Sequence, residues 1–110
     1  MQLPNPERAV VEIEKLRDYS LNIEHDRGKH KARVFRSALG FTQADAERLR
    51  QMILGAALVE EATPTQLLPY GQLYTLDFRA ESLSGTAIIR TGWIVATGTD
   101  FPRLTTCYVR

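Results

Sequence analysis

The apolar positions of the chain keep two different periods. Up to about residue 57 they recur at the three- and four-residue spacing of helices, and from about residue 58 they alternate as strands do. In the first half, VEIEKLRDYSL sets Val11, Leu16 and Tyr19 among charges, which predicts a short amphipathic helix before the loop LNIEHDRG. After Gly28, the stretch KHKARVFRSALG places Val34, Phe35, Ala38 and Leu39 on one stripe, with Gly40 where a left-handed C-terminal cap is expected. Thr42-Gln43-Ala44-Asp45 has a capping hydroxyl and an acid three positions on, a capping box with Asp in place of the usual Glu. Ala46, Leu49, Met52, Ile53 and Ala56 then form an apolar stripe, so a third helix is predicted over about 43–55.

The second half is punctuated by turn signals at 64–71 (Pro64, Pro69, Gly71), 81–85 (Ser82, Ser84, Gly85) and 98–102 (Gly98, Asp100, Pro102). The runs LVEEAT, QLYTLDFRA, TAIIRTGWIVAT and RLTTCYVR read as four strands, the first of them weak. Short connections between consecutive strands favour an antiparallel meander. The predicted fold class is α+β, with two to three N-terminal helices packed on one face of a four-stranded antiparallel sheet. A chain of 110 residues, 44% hydrophobic and 25% charged, with no internal repeat, reads as a single domain over 1–110, helical to about 57 and sheet from about 58.

Composition narrows the function classes. The longest apolar stretches are only a few residues, and Met1 and Gln2 lead into a Pro-containing segment with neither a basic nor an apolar leader region, so no membrane span and no signal peptide are expected and a cytoplasmic location is predicted. A single cysteine, Cys107, makes no internal disulfide and, with two histidines, no Cys/His zinc site; no cofactor and no metal are called for. Cys107 has no CxxC partner and no nearby histidine, and reads as a buried structural thiol. With 14 basic and 13 acidic residues the net charge is +1, which excludes general attraction to polyanions.

The distribution of charge changes that picture. Arg27, Lys29, Lys31, Arg33 and Arg36 fall between residues 27 and 36, together with His30 and without an acid. Such a block is either a solvated helix face or a local anion site. Lys29, His30 and Lys31 occupy the opening turn of the second helix, where the helix dipole disfavours cations by about a few tenths of a kcal/mol each, yet where free N–H groups welcome a phosphate. Lys31 lies four residues before Phe35, at the edge of the inward face, so its ammonium is expected to look across the sheet boundary; the alternative is a stem that merely snorkels over the core edge.

In the strand from 86 to 97, Ile88, Arg90, Gly92 and Ile94 point one way and Ala87, Ile89, Thr91, Trp93 and Val95 the other. Both faces are apolar enough to be covered, so Arg90 and Thr91 interrupt them. Arg90 then either pairs with Asp77 on the neighbouring strand or lines an anion-binding cleft. The last strand adds Arg103, Thr105, Thr106 and Tyr108, a density of donors that strand propensity partly explains. Histidine, lysine, arginine and hydroxyl side chains without a carboxylate pair match cleavage of RNA by its own 2'-hydroxyl, which needs proton transfer near neutral pH and cationic or hydroxyl groups to hold the phosphorane oxygens. No phosphate-binding glycine loop, GxSxG, HExxH or dinucleotide fingerprint supports the common rival chemistries.

The strings EKLRDYSLN (14–22), EHDRGKHKARVFRSALGFT (24–42) and RTGWIVATGTDFPRLTTCYV (90–109) carry a KLxDYxLN, GxHKAxxF, RTxWIV and PRLTTCYV pattern. Over nearly its whole length the chain resembles a family of small bacterial proteins of unknown function, whose members resemble the toxin domains grouped with barnase, EndoU, the colicin nucleases and RelE. That resemblance implies N-terminal helices followed by a four-stranded antiparallel sheet whose cleft faces RNA. It implies His30 as acid or base, Lys31 and Arg90 as stabilisers of phosphate charge, and Thr91, Thr105 and Tyr108 as donors. Lys29, Arg33 and Arg103 are the accompanying candidates for binding substrate phosphate, and His25 is a second candidate for proton transfer. The leading expectation is a metal-independent, ribonuclease-like toxin domain acting on tRNA or mRNA. The alternative is a non-catalytic protein of the same fold that binds a genomically neighbouring antitoxin or immunity partner; a third reading, an RNA-binding module without turnover, is disfavoured by the few aromatics.

Overall fold

A computed structural model describes residues 1–110. After a 3-10 turn at Pro6–Arg8, its helical half has α1 (Ile13–Lys15), which continues without a break into a π-helical turn over Leu16–Ser20. α2 spans Lys29–Leu39, and α3 spans Ala46–Val59 behind a 3-10 lead-in at Gln43–Asp45. Four strands follow: β1 (Thr63–Leu68), β2 (Gly71–Ser82), β3 (Gly85–Ala96) and β4 (Arg103–Val109). They form one antiparallel sheet in the order β1-β2-β3-β4, the expected meander, so the fold class is α+β as the periodicities indicated.

The local signals that end and begin the helices act as expected. Gly40 closes α2 in the left-handed region at φ 70°, and its N–H donates to the Arg36 carbonyl. The Thr42 N–H donates to Asp45 Oδ2 at 2.9 Å, the reciprocal half of a capping box. One apolar face of each helix then meets the sheet: Phe35, Leu39, Leu49 and Ile53 are buried against Leu76, Ile89 and Trp93 in a single core. Each such side chain contributes about 1.5–3 kcal/mol relative to an exposed one.

Three expectations are corrected. The run LVEEAT is not the first strand: α3 continues through Leu58 and Val59, because nothing between Gly55 and Glu60 breaks the hydrogen-bond ladder and Ala56 and Ala57 extend its buried stripe. The first strand begins at Thr63 and includes Pro64, read from sequence as part of a turn; at a sheet edge a residue without an N–H need not cost a ladder bond. The chain reverses instead at Pro69 and Tyr70. The two faces of β3 are also not both covered. Ile89, Thr91 and Trp93 are buried under the helices, whereas Ile88 is 41% exposed and Arg90 half-buried on an open face.

Two features escaped the sequence reading. The first helix closes partly with i to i−5 bonds, Leu21 N–H donating to the Leu16 carbonyl at 2.8 Å. The N-terminal segment also adds a short parallel bridge to β4, Val10 N–H donating to the Pro102 carbonyl and Leu104 N–H to the Val10 carbonyl. The bridge covers the β4 edge as far as Leu104, and there β4 bulges: Trp93 opposes Leu104 while Gly92 opposes Thr106, leaving Thr105 extra.

Candidate functional site

The register of β2, β3 and β4 lines up Asp77, Arg90 and Tyr108 across the open face of the sheet. Arg90 holds Asp77 with two parallel bonds, Nε to Oδ1 at 2.8 Å and Nη2 to Oδ2 at 3.0 Å, leaving Nη1 outside that pair. Arg110 adds a bond to the same Oδ2 at 2.8 Å. Two guanidinium groups thus share one carboxylate, and the patch keeps a positive balance. The Arg90 guanidinium is held protonated beyond its ordinary value, first by its hydrogen bonds to Asp77 and then by the Asp77 charge, with the Tyr108 phenol adding to both. Of the two readings left open for Arg90, the pairing with Asp77 is the one the structure holds, through Nε and Nη2.

Lys31 arrives at this patch from the other layer. It sits in the first turn of α2, and its stem carries the ammonium to the β4 edge, where Nζ donates to Thr106 Oγ1 at 3.4 Å and lies 5.0 Å from the centroid of the Tyr108 ring. The ring is therefore approached by Lys31 from the edge and by Arg90 along the strand pairing. Gly92 makes this geometry possible: a Cβ there would stand 2.8 Å from Thr106 Cγ2 and 3.1 Å from Thr105 Oγ1, so only a bare backbone lets the two threonines lean across β3.

The cations of the 27–36 block stand unpaired, as Lys15 and Arg48 also do. Arg8, Arg17, Arg50, Arg79, Arg90, Arg103 and Arg110 all form ion pairs, whereas Arg27, Lys29, Lys31, Arg33 and Arg36 form none. A helix that opens with unpaired cations is locally unfavourable, and an anion at its start would relieve that cost.

The remaining sequence candidates are scattered. Thr91 is fully buried on the opposite face of β3, where its hydroxyl donates to the Leu76 carbonyl and accepts from the Trp93 indole, both at 2.7 Å, so it has nothing left to offer a substrate. Arg103 is held by Glu12 at 2.6 Å. His30 is exposed on α2 and makes no hydrogen bond, and Lys29 and Arg33 are likewise unbonded. His25 is structural, since its Nδ1 accepts from the Arg27 and Gly28 N–H groups at 3.1 Å each, capping the approach to α2, while its ring packs 4.6 Å from Tyr19. Thr105 projects from the bulge beside Thr106. Thr106 and Arg110 are members of the cluster that the sequence did not single out for a role. Cys107 is buried as expected, and burial pushes its thiol up to about 12 despite the opposing charge of Lys31.

The chain belongs to the family described as Domain of unknown function (DUF6883), whose model matches residues 2–110. No curated protein and no solved structure matches it.

Proposed function

We propose that this domain binds single-stranded RNA through one phosphodiester held at the β4 edge and cleaves it by metal-independent attack of the 2'-hydroxyl. The observation that carries this reading is the convergence of Lys31 and Arg90 on Tyr108. Two cations facing one phenol are suited to a phosphate with a proton to move beside it. In the reaction the 2'-oxygen bonds to phosphorus, the bond to the 5'-oxygen breaks, and a 2',3'-cyclic phosphate and a 5'-hydroxyl result. Lys31 and the Arg90 guanidinium, whose Nη1 lies outside the Asp77 pair, balance the charge on the non-bridging oxygens as it builds. Tyr108 is the group beside Lys31 and Arg90 that exchanges the proton, in the place first given to His30, which is exposed and makes no hydrogen bond. The unpaired cations of α2 extend the track along which neighbouring phosphates lie. Relation to the ribonuclease-type toxins of the barnase, EndoU, colicin and RelE group belongs to the same proposal, supported by the order of helices and strands.

The test is incubation of the purified chain with a mixed-sequence RNA oligomer in the presence of a chelator. Fragments ending in 2',3'-cyclic phosphate are expected from the wild-type chain and not from Lys31→Ala or Tyr108→Phe. Intact RNA with tight, Lys31-dependent binding would replace cleavage by simple RNA binding, and no binding would end the proposal.

A further inference from the structure

His25 is held by the fold, and the way it is held depends on its charge. Its Nδ1 accepts hydrogen bonds from the backbone N–H groups of Arg27 and Gly28, both at 3.1 Å. A ring nitrogen accepts only when it carries no proton, so the neutral Nε2–H tautomer is the form that fits, whereas in the imidazolium both nitrogens are donors. A proton on Nδ1 would set one N–H against two others and remove both bonds.

These two bonds hold the entrance to α2. The Lys29 N–H donates to the His25 carbonyl at 2.9 Å and the Ala32 N–H to the Gly28 carbonyl at 3.0 Å, so the chain from His25 into the first turn of the helix is one hydrogen-bonded unit. That unit is fixed to the π-helical turn twice: Gly28 is buried with no room for a Cβ beside the Tyr19 carbonyl, and the imidazole packs 4.6 Å from the Tyr19 ring. Lys31 stands in the turn that this unit starts, and its contacts with Thr106 and the Tyr108 ring depend on where α2 begins. Tyr19 is the titratable group facing the imidazole from the π-helical turn, where Asp18 is engaged with Arg17. Glu24, Asp26 and Arg27 flank His25 in the loop and Lys29 and Lys31 open α2, none of them in an ion pair, and no carboxylate lies within ion-pair distance of the imidazole to hold a proton on it.

We infer that His25 is a pH-sensitive latch on the start of α2. Neutral, it locks the 25–28 turn and so sets Lys31 against Tyr108. Protonated in mildly acidic solution, the range in which imidazoles take up a proton, it releases the turn, and Lys31 leaves the β4 edge. The latch itself stands on the geometry of His25 alone. Its consequence for anion binding rests on the Lys31 and Arg90 site of the proposed function.

The experiment follows the full, isotope-labelled chain by NMR between about pH 7.5 and 5, with inorganic sulfate, whose charge is constant over that range, as the anion probe. In the wild type, the amide signals of Arg27, Gly28 and Lys29 are expected to lose their ordered positions in step with the His25 ring resonances, and sulfate, read at Lys31, Thr106 and Tyr108, to bind about fivefold more weakly at the lower pH. His25→Asn supplies a side-chain oxygen that accepts backbone N–H groups, as Asn22 does for Glu24, and takes up no proton. It should keep both the amide pattern and the sulfate affinity at either pH, while His30→Ala should respond as the wild type does. Amides at 27–29 that stay in place while the His25 ring titrates, or an equal pH response in His25→Asn, overturn the latch and spare the RNA reading. Sulfate affinity that holds while the amides respond overturns the coupling to Lys31. A response of these amides with neither sulfate nor RNA bound at any pH overturns the RNA reading and keeps the latch.

Discussion

The indole N–H of Trp93 donates to the hydroxyl of Thr91 at 2.7 Å, and that hydroxyl donates in turn to the carbonyl of Leu76 on the neighbouring strand. Both side chains are fully buried, so the threonine is the means by which a tryptophan keeps its one polar atom satisfied inside the core. Thr91→Val keeps the shape and removes the oxygen, leaving an indole N–H and a strand carbonyl unpartnered. The expected cost is about 1–3 kcal/mol, read by urea unfolding, with RNA cleavage per folded molecule unchanged. A loss of cleavage greater than the loss of folded protein would return Thr91 to the site.

Lys31 and His30 are adjacent in sequence, but only Lys31 bonds to Thr106 and lies over the Tyr108 ring, which makes them a sharp comparison. Lys31→Ala is expected to lower RNA turnover by about 10²-fold or more, and His30→Ala to leave it within about twofold, as expected of an exposed side chain that makes no hydrogen bond. Binding should be only mildly sensitive to salt. About three phosphate contacts on a single strand give a slope near −2 in log K against log salt, which fluorescence anisotropy between 50 and 200 mM salt measures; a slope several times steeper would point to a broad basic surface.

Gly28 lies against the π-helical turn. A Cβ at this position would meet the Tyr19 carbonyl oxygen at 2.5 Å, and that oxygen belongs to the backbone rather than to a flexible side chain. Gly28→Ala should therefore destabilise the fold by about 1–3 kcal/mol and shift the Tyr19 and Ser20 resonances. A thermal midpoint equal to wild type would show that the turn yields at no cost.

The Asp77 carboxyl is held below the usual 3.8, first by the Arg90 hydrogen bond and further by the charges of Arg90 and Arg110, against the effect of its partial burial. A carboxyl lowered on folding adds stability that is present above its unfolded value and lost as pH falls through its folded value. Asp77→Asn should thus cost on the order of 1 kcal/mol at pH 7, a modest figure because the pair is a quarter to a third exposed and screened by water. The difference between variant and wild type should shrink as pH is lowered below about 4, measured by denaturant unfolding at each pH.

Cys107 has the opposite sign. Its thiol is raised by burial from 9.0 to about 12, so the stability it adds is present below pH 9 and is lost as pH rises from there toward 12. At pH 8 the folded chain should resist iodoacetamide and react only on unfolding. Mass spectrometry in and out of denaturant tests this, and rapid labelling of the folded chain would contradict the buried placement.

Residues that act through their neighbours in sequence were legible in the sequence. The Gly40 cap, the Thr42 and Asp45 box and the alternation of β2 and β3 depend on spacing of a few residues, and spacing is what a sequence displays. The weak first strand was misread because Leu58 and Val59 suit a helix end and a strand equally, and only the unbroken ladder of α3 decides between them. The cationic block was visible too, as was the strangeness of Arg90 and Lys31 where they stand.

What the tertiary structure alone decided is which of these side chains meet. Lys31 and Thr106 are 75 positions apart and Asp77 and Arg90 are 13 apart, and they come together through the sheet register and the packing of α2 against the β4 edge. The bulge at Thr105 set which donors of β4 face the patch, because one extra residue turns every later side chain to the other face. Local patterning determined the elements and their order. Long-range packing sent Thr91 into the core and gave Tyr108 two cationic neighbours, since the position of a side chain across three strands depends on register, and register is a property of the assembled sheet.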